Sequence, residues 1–507
     1  MSVIDFAGQS SGAALLARGR EECEEAEILL SELLKKAGVV AKGPLYRDPE
    51  ISGISFDSRS VKPGDLFVGL PGRNFDGGAF AIEAIERGAM AVIVEPSAVE
   101  GLAGVRDVVV IGHDAPNRML LADLALGFYG DVSSQLALIG VTGTNGKTTV
   151  THLIAYICSQ LGRQSSVIGT LNGERTTPES AEIFSRLRNA RETGDLIVAM
   201  EVSSIALDQE RVRNLHFRAS VFMNLSPDHL DYHGSMAAYF AAKARLFTPQ
   251  YSSVGIINRD SAYGKALLGG ATISTMGFGI DDVGDVVTRS GVTSFSYHGA
   301  RISTSLFGRH NIYNLLGAIE SARQLGFGLS DIAEVLPRFG GVPGRLERVN
   351  PGALPAAYVD YAHSPDALEQ VIAALGGIKG ATARIIVVFG AGGNRDRSKR
   401  ALMGAVVSAN ADYAIVTNDN PRDEDPEAIA ASVVAGFASG QSDFGYEVIY
   451  DRAAAIARAI ELARDIDIIL VAGKGHETYQ QIGSITTHFS DQETLAGLLG
   501  LDLPEQQ

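Results

Sequence analysis

Apolar residues along this chain gather in short continuous runs. Each run is closed by glycine or a polar turn and followed by a stretch with apolar positions three and four apart. From Ile51 to about Gly130 the runs ISFDSR, DLFVGLPG and AVIVE alternate with a helical AFAIEAIERGA, which predicts a small α/β domain. A second series opens with LALIGVT (136–142) and continues through DLIVAME (195–201) and SVGIIN. Unbroken Val/Ile/Leu runs bounded by glycine predict parallel strands covered on both faces. The helix HNIYNLLGAIESARQLG (310–326) closes this series, and FGGVPGR (339–345) reads as a linker. A third series runs AAYVDYA, RIIVVFGAGG, DYAIVTNDNPR and DIDIILVAGKGHE, each apolar run passing at once into polar residues. Open α/β sheets bind ligands at the carboxyl ends of their strands, so these four tails are expected to converge on one crevice. Before all of this, EECEEAEILLSELLKKA (21–37) reads as a solvated leader helix, with acids early and lysines late as the helix dipole favours. The pattern therefore predicts a helical extension over 1–50, a small domain over 51–131, a central parallel-sheet domain over 132–344 and a third, Rossmann-like domain over 345–507.

Composition narrows the class of function. The 507 residues carry 43 Lys and Arg against 59 Asp and Glu, a net charge of −16. That balance argues against a broad nucleic-acid face or an anionic-membrane surface and leaves room for local basic pockets. Two cysteines, Cys23 and Cys158, exclude a disulfide framework and a Cys-rich zinc site and fit a reducing compartment. No apolar stretch reaches the roughly 18 residues that span a bilayer. The start MSVIDFAGQSSGAALLARGR lacks the layout of a secretion signal, so a cytoplasmic setting is expected.

The sharpest chemical signal is Gly140-Val-Thr-Gly-Thr-Asn-Gly-Lys-Thr-Thr149, set between the LALIG strand and the helix TVTHLIAYICSQLG. Backbone N–H groups at such a helix start cradle phosphate oxygens. Lys147 is then expected at the β/γ-phosphates and the Thr148 hydroxyl on Mg²⁺. The strict pattern asks for glycine at position 141, where this chain has valine, so the loop is a variant with glycines at 140, 143 and 146. The strand LIVAM ends in Glu201, the placement of a residue that holds Mg²⁺ through a carboxylate. No N-K-x-D motif is present, which disfavours a GTPase switch, and FGAGG is not a dinucleotide fingerprint.

VTGTNGKTTV, EVSS, NLSPDHLDYHGSMAAYFAAKARLF, GRHNIYN, GRLE, DYAHSPD and AGKGHE occur here in the order of the Mur ligases, which the chain resembles over roughly 51–490. These are ATP-dependent amide-forming enzymes of peptidoglycan precursor synthesis. DSR (57–59), GDLFVGLPGRNFDGG and above all DNPR (419–422) resemble the branch that adds meso-diaminopimelate to a uridine-nucleotide-linked muramoyl dipeptide. The resemblance implies three α/β domains, with the first binding the UDP-sugar, the central one ATP and the last the amino acid. It also implies activation of a D-Glu carboxylate as an acyl phosphate, which the amine then attacks. ATP is the co-substrate and Mg²⁺ the cofactor. Partners are small molecules, without nucleic acid or membrane insertion, and a monomer is expected.

Carried over residue by residue, the resemblance gives Gly143, Thr144, Asn145, Gly146, Lys147, Thr148 and Thr149 to the phosphates. Asn311, Arg345, Asp360 and His363 go to the rest of ATP. Arg345 also reads as a linker ion pair, and its place between domains suits a closure contact. By its residues alone Lys243 is a helix-surface lysine; the resemblance makes it carbamylated by CO₂ and, with Thr148, Glu201 and His229, part of the metal site. His229 reads otherwise as a turn cap. Ser58, Arg73, Asn74 and Phe75 match uridine-nucleotide contacts. Thr176, Thr177, Ser204, Gln209 and Arg211 match contacts to the muramoyl dipeptide. Arg395, Asp419, Asn420, Pro421, Arg422, Gly473 and Glu477 match the diaminopimelate pocket, with the Arg422 fork suited to a distal carboxylate that lysine lacks. A solvated basic loop is the other reading of GGNRDRSKR. One departure stands out: relatives carry histidine after the two serines that follow Glu201, and this chain has Ile205. An L-lysine-adding sister ligase, a folylpolyglutamate synthetase-like enzyme and a non-ligating ATP-binding regulator remain as alternatives.

Overall fold

The computed structural model describes residues 27–40, 45–72, 76–289, 291–437 and 444–501, and it divides into two compact units. The first unit comprises the described residues up to 136 together with 178–196 and 209–215. Its centre is a parallel sheet of β3 (Gly53–Ser55), β4 (Asp65–Val68), β5 (Ala91–Val94) and β6 (Val109–Gly112), in that order. Every residue of β4 and β5 is buried, as unbroken apolar runs require. The solvated leader helix is corrected here. The helix is α1 (Leu30–Lys36), and Leu30, Leu33 and Leu34 are buried in the same core as Ile54, Leu66 and Leu124. A two-residue strand, β1 (Ile28–Leu29), precedes it and pairs antiparallel with β2 (Glu50–Ile51). The i, i+3, i+4 leucines buy this helix its place in the core, and its charged pair Glu32–Lys36 faces out. The earlier part of the expected helix, 21–26, lies outside the described residues, as do Arg73, Asn74 and Phe75. In the same core, α2 (Arg118–Tyr129) packs against both α1 and the helix Ser180–Glu192.

The second unit is built around two six-stranded sheets. The first has the parallel order β12-β11-β10-β7-β9-β8, from β7 (Ala137–Thr142), β8 (Ser165–Ile168), β9 (Ile197–Glu201), β10 (Ala219–Phe222), β11 (Val254–Asn258) and β12 (Ser274–Phe278). The chain leaves β7 for β8, returns through β9 and resumes on the far side as β10, so the loop after β7 lies at the topological switch point. That loop leads into α3 (Lys147–Gln160). An antiparallel sheet of β13 (Val283–Arg289), β14 (Val292–Tyr297) and β15 (Ala300–Thr304) follows, then α5 (Arg309–Gln324). Within the unit, α4 (Met236–Ala244) is capped by Ser235, whose Oγ accepts from Ala238 N.

The last sheet has the order β16-β17-β21-β18-β19-β20, with only β16 antiparallel. Its strands are β16 (Glu347–Arg348), β17 (Ala356–Asp360), β18 (Ile385–Phe389), β19 (Tyr413–Val416), β20 (Gly445–Val448) and β21 (Ile468–Ala472). Five helices follow its strands: α6 (Pro365–Gly376), α7 (Lys399–Asn410), the helix Pro426–Val434, α8 (Arg452–Leu462) and α9 (Asp491–Leu498). The four predicted strand tails thus leave one sheet at one edge. The expected linker 339–345 is less open than its glycines imply, since Phe339 and Val342 are buried in the core of the middle sheet.

Behind β21, the buried carboxylate of Asp467 accepts from Nε and Nη2 of both Arg384 and Arg464 and from both of their backbone N–H groups. Burial alone would raise its pKa; these donors outweigh that and hold it well below the usual carboxylate range. A depressed carboxyl stabilises the fold above its unfolded value of about 3.9, and that contribution fades as pH falls below that value. Asp467→Asn is expected to cost roughly 1.5–3 kcal/mol at pH 7. In thermal melts the gap between variant and parent should hold down to about pH 4 and narrow only below it.

Candidate functional site

The phosphate loop is built by β7 ending at Thr142 and α3 starting at Lys147. Val141, where the strict pattern wants glycine, lies inside β7: it is fully buried, and its carbonyl accepts from Val202 N at 2.8 Å. The turn begins only at Gly143, so a side chain at 141 costs the loop nothing. Gly146 is the constrained position. Its φ is +89°, and a Cβ there would lie 2.4 Å from Asn314 Oδ1. Lys147 Nζ curls over the loop to donate to Gly143 O at 2.9 Å and Thr144 O at 3.0 Å.

Opposite the loop stands Glu201, last residue of β9 and fully buried. Its carboxylate accepts from Thr148 Oγ1 at 3.1 Å, Thr170 N at 2.8 Å and Thr170 Oγ1 at 3.1 Å. This approach needs Gly169, because a Cβ there would lie 2.3 Å from Glu201 Oε1. Arg345 closes the other side: its Nη2 donates to Thr148 Oγ1 at 3.0 Å, and its guanidinium lies 4.5 Å from the Tyr361 ring centroid. Among the described residues one cavity is lined by Thr144–Thr149, Thr176, Glu201, His229, Asn311, Arg345, Asp360 and His363. The expected ATP residues that line it come from the segments around the two six-stranded sheets. Two polar atoms here are buried without a hydrogen bond, Arg345 Nε and Nδ1 of the lining His310. Both are left for a ligand to satisfy.

Several groups do structural work at the rim. Asp360 accepts from Leu346 N at 2.6 Å and Ala362 N at 2.7 Å, and burial pushes its pKa up to about 6 against the pull of Arg345. His363 is pushed down to about 4 by burial, with Lys399 adding to the shift; its Nδ1 lies 2.8 Å from Tyr361 O. Asn311 donates to Phe307 O at 3.0 Å. Asp366, the last residue of DYAHSPD, reaches the phosphate loop itself, accepting from Asn145 Nδ2 at 2.7 Å and from Ser226 Oγ at 3.2 Å.

Lys243 is the expectation from residue type that the structure overturns. It is 1% exposed, not a surface lysine, and lies behind the cavity wall. Its Nζ donates to Gly143 O at 3.0 Å and sits 4.9 Å from the Tyr239 ring centroid. Two lysine amines therefore converge on one carbonyl. Burial, and then repulsion from Lys147, lower the Lys243 pKa well below its ordinary value. His229 has φ +53° and a half-exposed ring, 3.7 Å from Asp228. Next to Ile205, His233 Nε2 lies 2.9 Å from Ser204 Oγ, and its ring stacks on Tyr239.

Thr176 accepts from Thr170 Oγ1 at 3.1 Å, and Thr177 Oγ1 donates to Glu201 O at 2.9 Å. In the first unit Ser58 Oγ donates to Glu83 at 2.7 Å. There too, Arg211 is bonded to Gln209 Oε1 and pairs with buried Glu179, which also binds Arg118. Glu179 carried no sequence signal beyond its place after TTP.

In the last sheet the tails of β18, β19 and β21 do meet. Arg422, with φ +52°, donates from Nη1 to Gly393 O at 2.8 Å. Asn420 donates to Glu477 Oε2 at 3.0 Å, while fully buried Lys474 donates to both Asn420 Oδ1 and Glu477 Oε2. Burial raises the Glu477 pKa, Lys474 opposes it, and Asp419 adds to it. Gly393 N donates to Asn420 O at 2.9 Å, while Gly473 N is bound by Asp360 O. Arg395 is exposed at the rim. The basic loop is not simply solvated, because Arg400 is buried and forked onto Glu424.

A phosphate loop at a switch point, an acid facing its threonine and a second sheet walling the same cavity define an α/β enzyme that uses a nucleoside triphosphate. Models of three families match end to end: the Mur ligase family catalytic domain over 50–128, the Mur ligase middle domain over 141–322 and the Mur ligase glutamate ligase domain over 344–475. The chain is 42% identical over 493 residues to the UDP-N-acetylmuramoyl-L-alanyl-D-glutamate–2,6-diaminopimelate ligase of Parasynechococcus marenigrum, covering 92% of this chain and 97% of that one. A solved structure of a ligase of the same name superposes with a TM-score of 0.61 at 31% identity, over 92% of this chain and 98% of the other. The Thermotoga maritima MurF ligase in complex with ADP shares the fold, with a TM-score of 0.63 at 17% identity over 88% and 96% of the two chains. This protein belongs to the Mur ligase family and is an ATP-dependent ligase.

Proposed function

We propose that the enzyme joins meso-2,6-diaminopimelate to the D-Glu carboxylate of UDP-N-acetylmuramoyl-L-alanyl-D-glutamate, at the expense of ATP. The observation that carries this reading is the crevice at the ends of β18, β19 and β21. It sets the Arg422 guanidinium and the Asn420–Glu477 pair on loops of one sheet, a basic and an acidic grip for an amino acid with charges at both ends. The 51–131 region takes the UDP-sugar, the central region ATP and the region from 345 the amine.

A carboxylate is a poor acyl electrophile, and phosphorylation gives it a leaving group. A carboxylate oxygen of D-Glu attacks the γ-phosphorus and ADP departs; the amine nitrogen then attacks the acyl carbon, loses a proton, and phosphate leaves. Lys147 and the loop N–H groups hold the phosphates, and Arg345 brings a cation to the same threonine. The hydroxyl of Thr148 and the carboxylate of Glu201 are hard oxygen donors 3.1 Å apart, a set that suits Mg²⁺ sharing its remaining positions with phosphate and water. Among the described residues no group of three His, Cys, Asp or Glu forms a metal nest. When bound, Mg²⁺ neutralises charge on the transferring phosphoryl group. Burial and Lys147 lower the Lys243 pKa and so favour the uncharged amine, the form that adds CO₂; a carbamate there would, with His229, extend the metal site. The enzyme acts as a cytoplasmic monomer.

Phosphate release with the nucleotide dipeptide, Mg²⁺ and either diaminopimelate or L-lysine tests the substrate. Release is expected only with diaminopimelate, and equal turnover with L-lysine overturns the assignment. Trapping by hydroxylamine in the absence of amine reads the acyl phosphate. Arg422→Ala removes one charge-assisted bond to a carboxylate, about 1.5–3 kcal/mol, and should raise KM for diaminopimelate roughly 10–100-fold with KM for ATP unchanged.

A further inference from the structure

Arg452, the first residue of α8, is fully buried and has no counterpart in the chemistry above. Its Nε and Nη2 pair with Oδ1 and Oδ2 of Asp491, both at 2.7 Å, and Asp491 is itself fully buried at the start of α9. The remaining donors do something else. Nη2 donates to Ala472 O at 2.9 Å, and Nη1 donates to Asn418 O at 3.3 Å. Ala472 ends β21 and is followed by the loop Gly473–Glu477. Asn418 immediately precedes Asp419–Arg422. In the sheet β18 lies between these two strands, so one planar guanidinium spans its end and ties the roots of both loops. At their tips the same loops meet again through Asn420, Glu477 and Lys474.

A buried ion pair is weak evidence for stability, because desolvating two charges offsets most of their attraction. Two carbonyls at the feet of two functional loops point to a different use. We infer that Arg452 is a positioning residue for the amine substrate: it fixes the spacing between the loop bearing Arg422 and the loop bearing Glu477. It thereby sets the reach the pocket demands between the two charged ends of that substrate. The inference rests on the amino-acid crevice of the proposed function, but not on which diamino acid fills it.

Two conservative variants separate spacing from stability. Asp491→Asn keeps the guanidinium and its two carbonyl bonds. Arg452→Lys keeps the charge, but a single ammonium cannot reproduce the fork that reaches both loops. Both are expected to melt below the parent. Only Arg452→Lys should raise KM for the amine, about tenfold or more, and narrow the preference between diaminopimelate and L-lysine. KM for ATP and the yield of hydroxylamine-trapped acyl phosphate should stay within twofold of the parent. An unchanged amine KM in folded Arg452→Lys overturns the inference, and so does an equal rise in Asp491→Asn or a parallel rise in KM for ATP. Where a variant does not fold alone, the double change Arg452→Met with Asp491→Leu removes both charges from the interior and is read the same way. The parent's own choice of amine tests the substrate assignment separately. Should the parent use L-lysine, the KM of that amine becomes the readout and the positioning role is still decided.

Discussion

Lys147→Met is expected to lower kcat/KM for ATP by about 10²–10³, as loss of one preorganised charge at a transferring phosphoryl group does. Its Nζ now bonds to two loop carbonyls, Gly143 O and Thr144 O, which places it at the mouth of the cradle. Methionine keeps the length of the side chain and removes those bonds, and Lys243 still donates to Gly143 O. The variant should therefore melt within a few degrees of the parent while steady-state phosphate release collapses. A kcat/KM within threefold of the parent would show that the loop is not the phosphate cradle of this reaction.

Lys243→Met separates activity from stability more sharply. The parent buries an amine whose charge is disfavoured by its surroundings and by Lys147. Replacing it with a thioether of similar length removes that penalty, so the melting temperature should hold or rise. Activity should nonetheless fall about 10²-fold or more, because methionine cannot carry the carbamate. The parent should lose activity when CO₂ and bicarbonate are stripped and recover when they return, whereas the variant should be indifferent. A parent insensitive to CO₂ removal overturns the carbamate, and an active Lys243→Met variant overturns the role altogether.

Much of the second unit was legible because its signals are local. Continuous apolar runs give buried parallel strands, and strand-end placement foretold that DNPR and AGKGHE share an edge. Lys243 was not legible from its residues. The helix MAAYFAAKA is apolar almost all round, so spacing cannot say which face is buried, and only packing places Lys243 under the phosphate loop beside Tyr239. The leader helix misled for the opposite reason. Its many acids drew attention from Leu30, Leu33 and Leu34, whose spacing is the one that counts in the core. Val141 made the loop read as a variant because a pattern assigns a position to the loop that the fold assigns to β7. Thr170, Asp366 and Lys474 were missed although two of them sit inside quoted motifs. Their partners, Glu201, Asn145 and Asn420, come from distant parts of the chain, and no spacing rule reaches that far.

The grip of Thr170 and Thr148 on Glu201 means that this carboxylate is already immobilised in the folded protein, so the Mg²⁺ proposed to bind there would not need to freeze a mobile side chain. Shortening the arm by one methylene, as in Glu201→Asp, would surrender that readiness along with the ligand's position, and cation affinity would fall for two reasons at once.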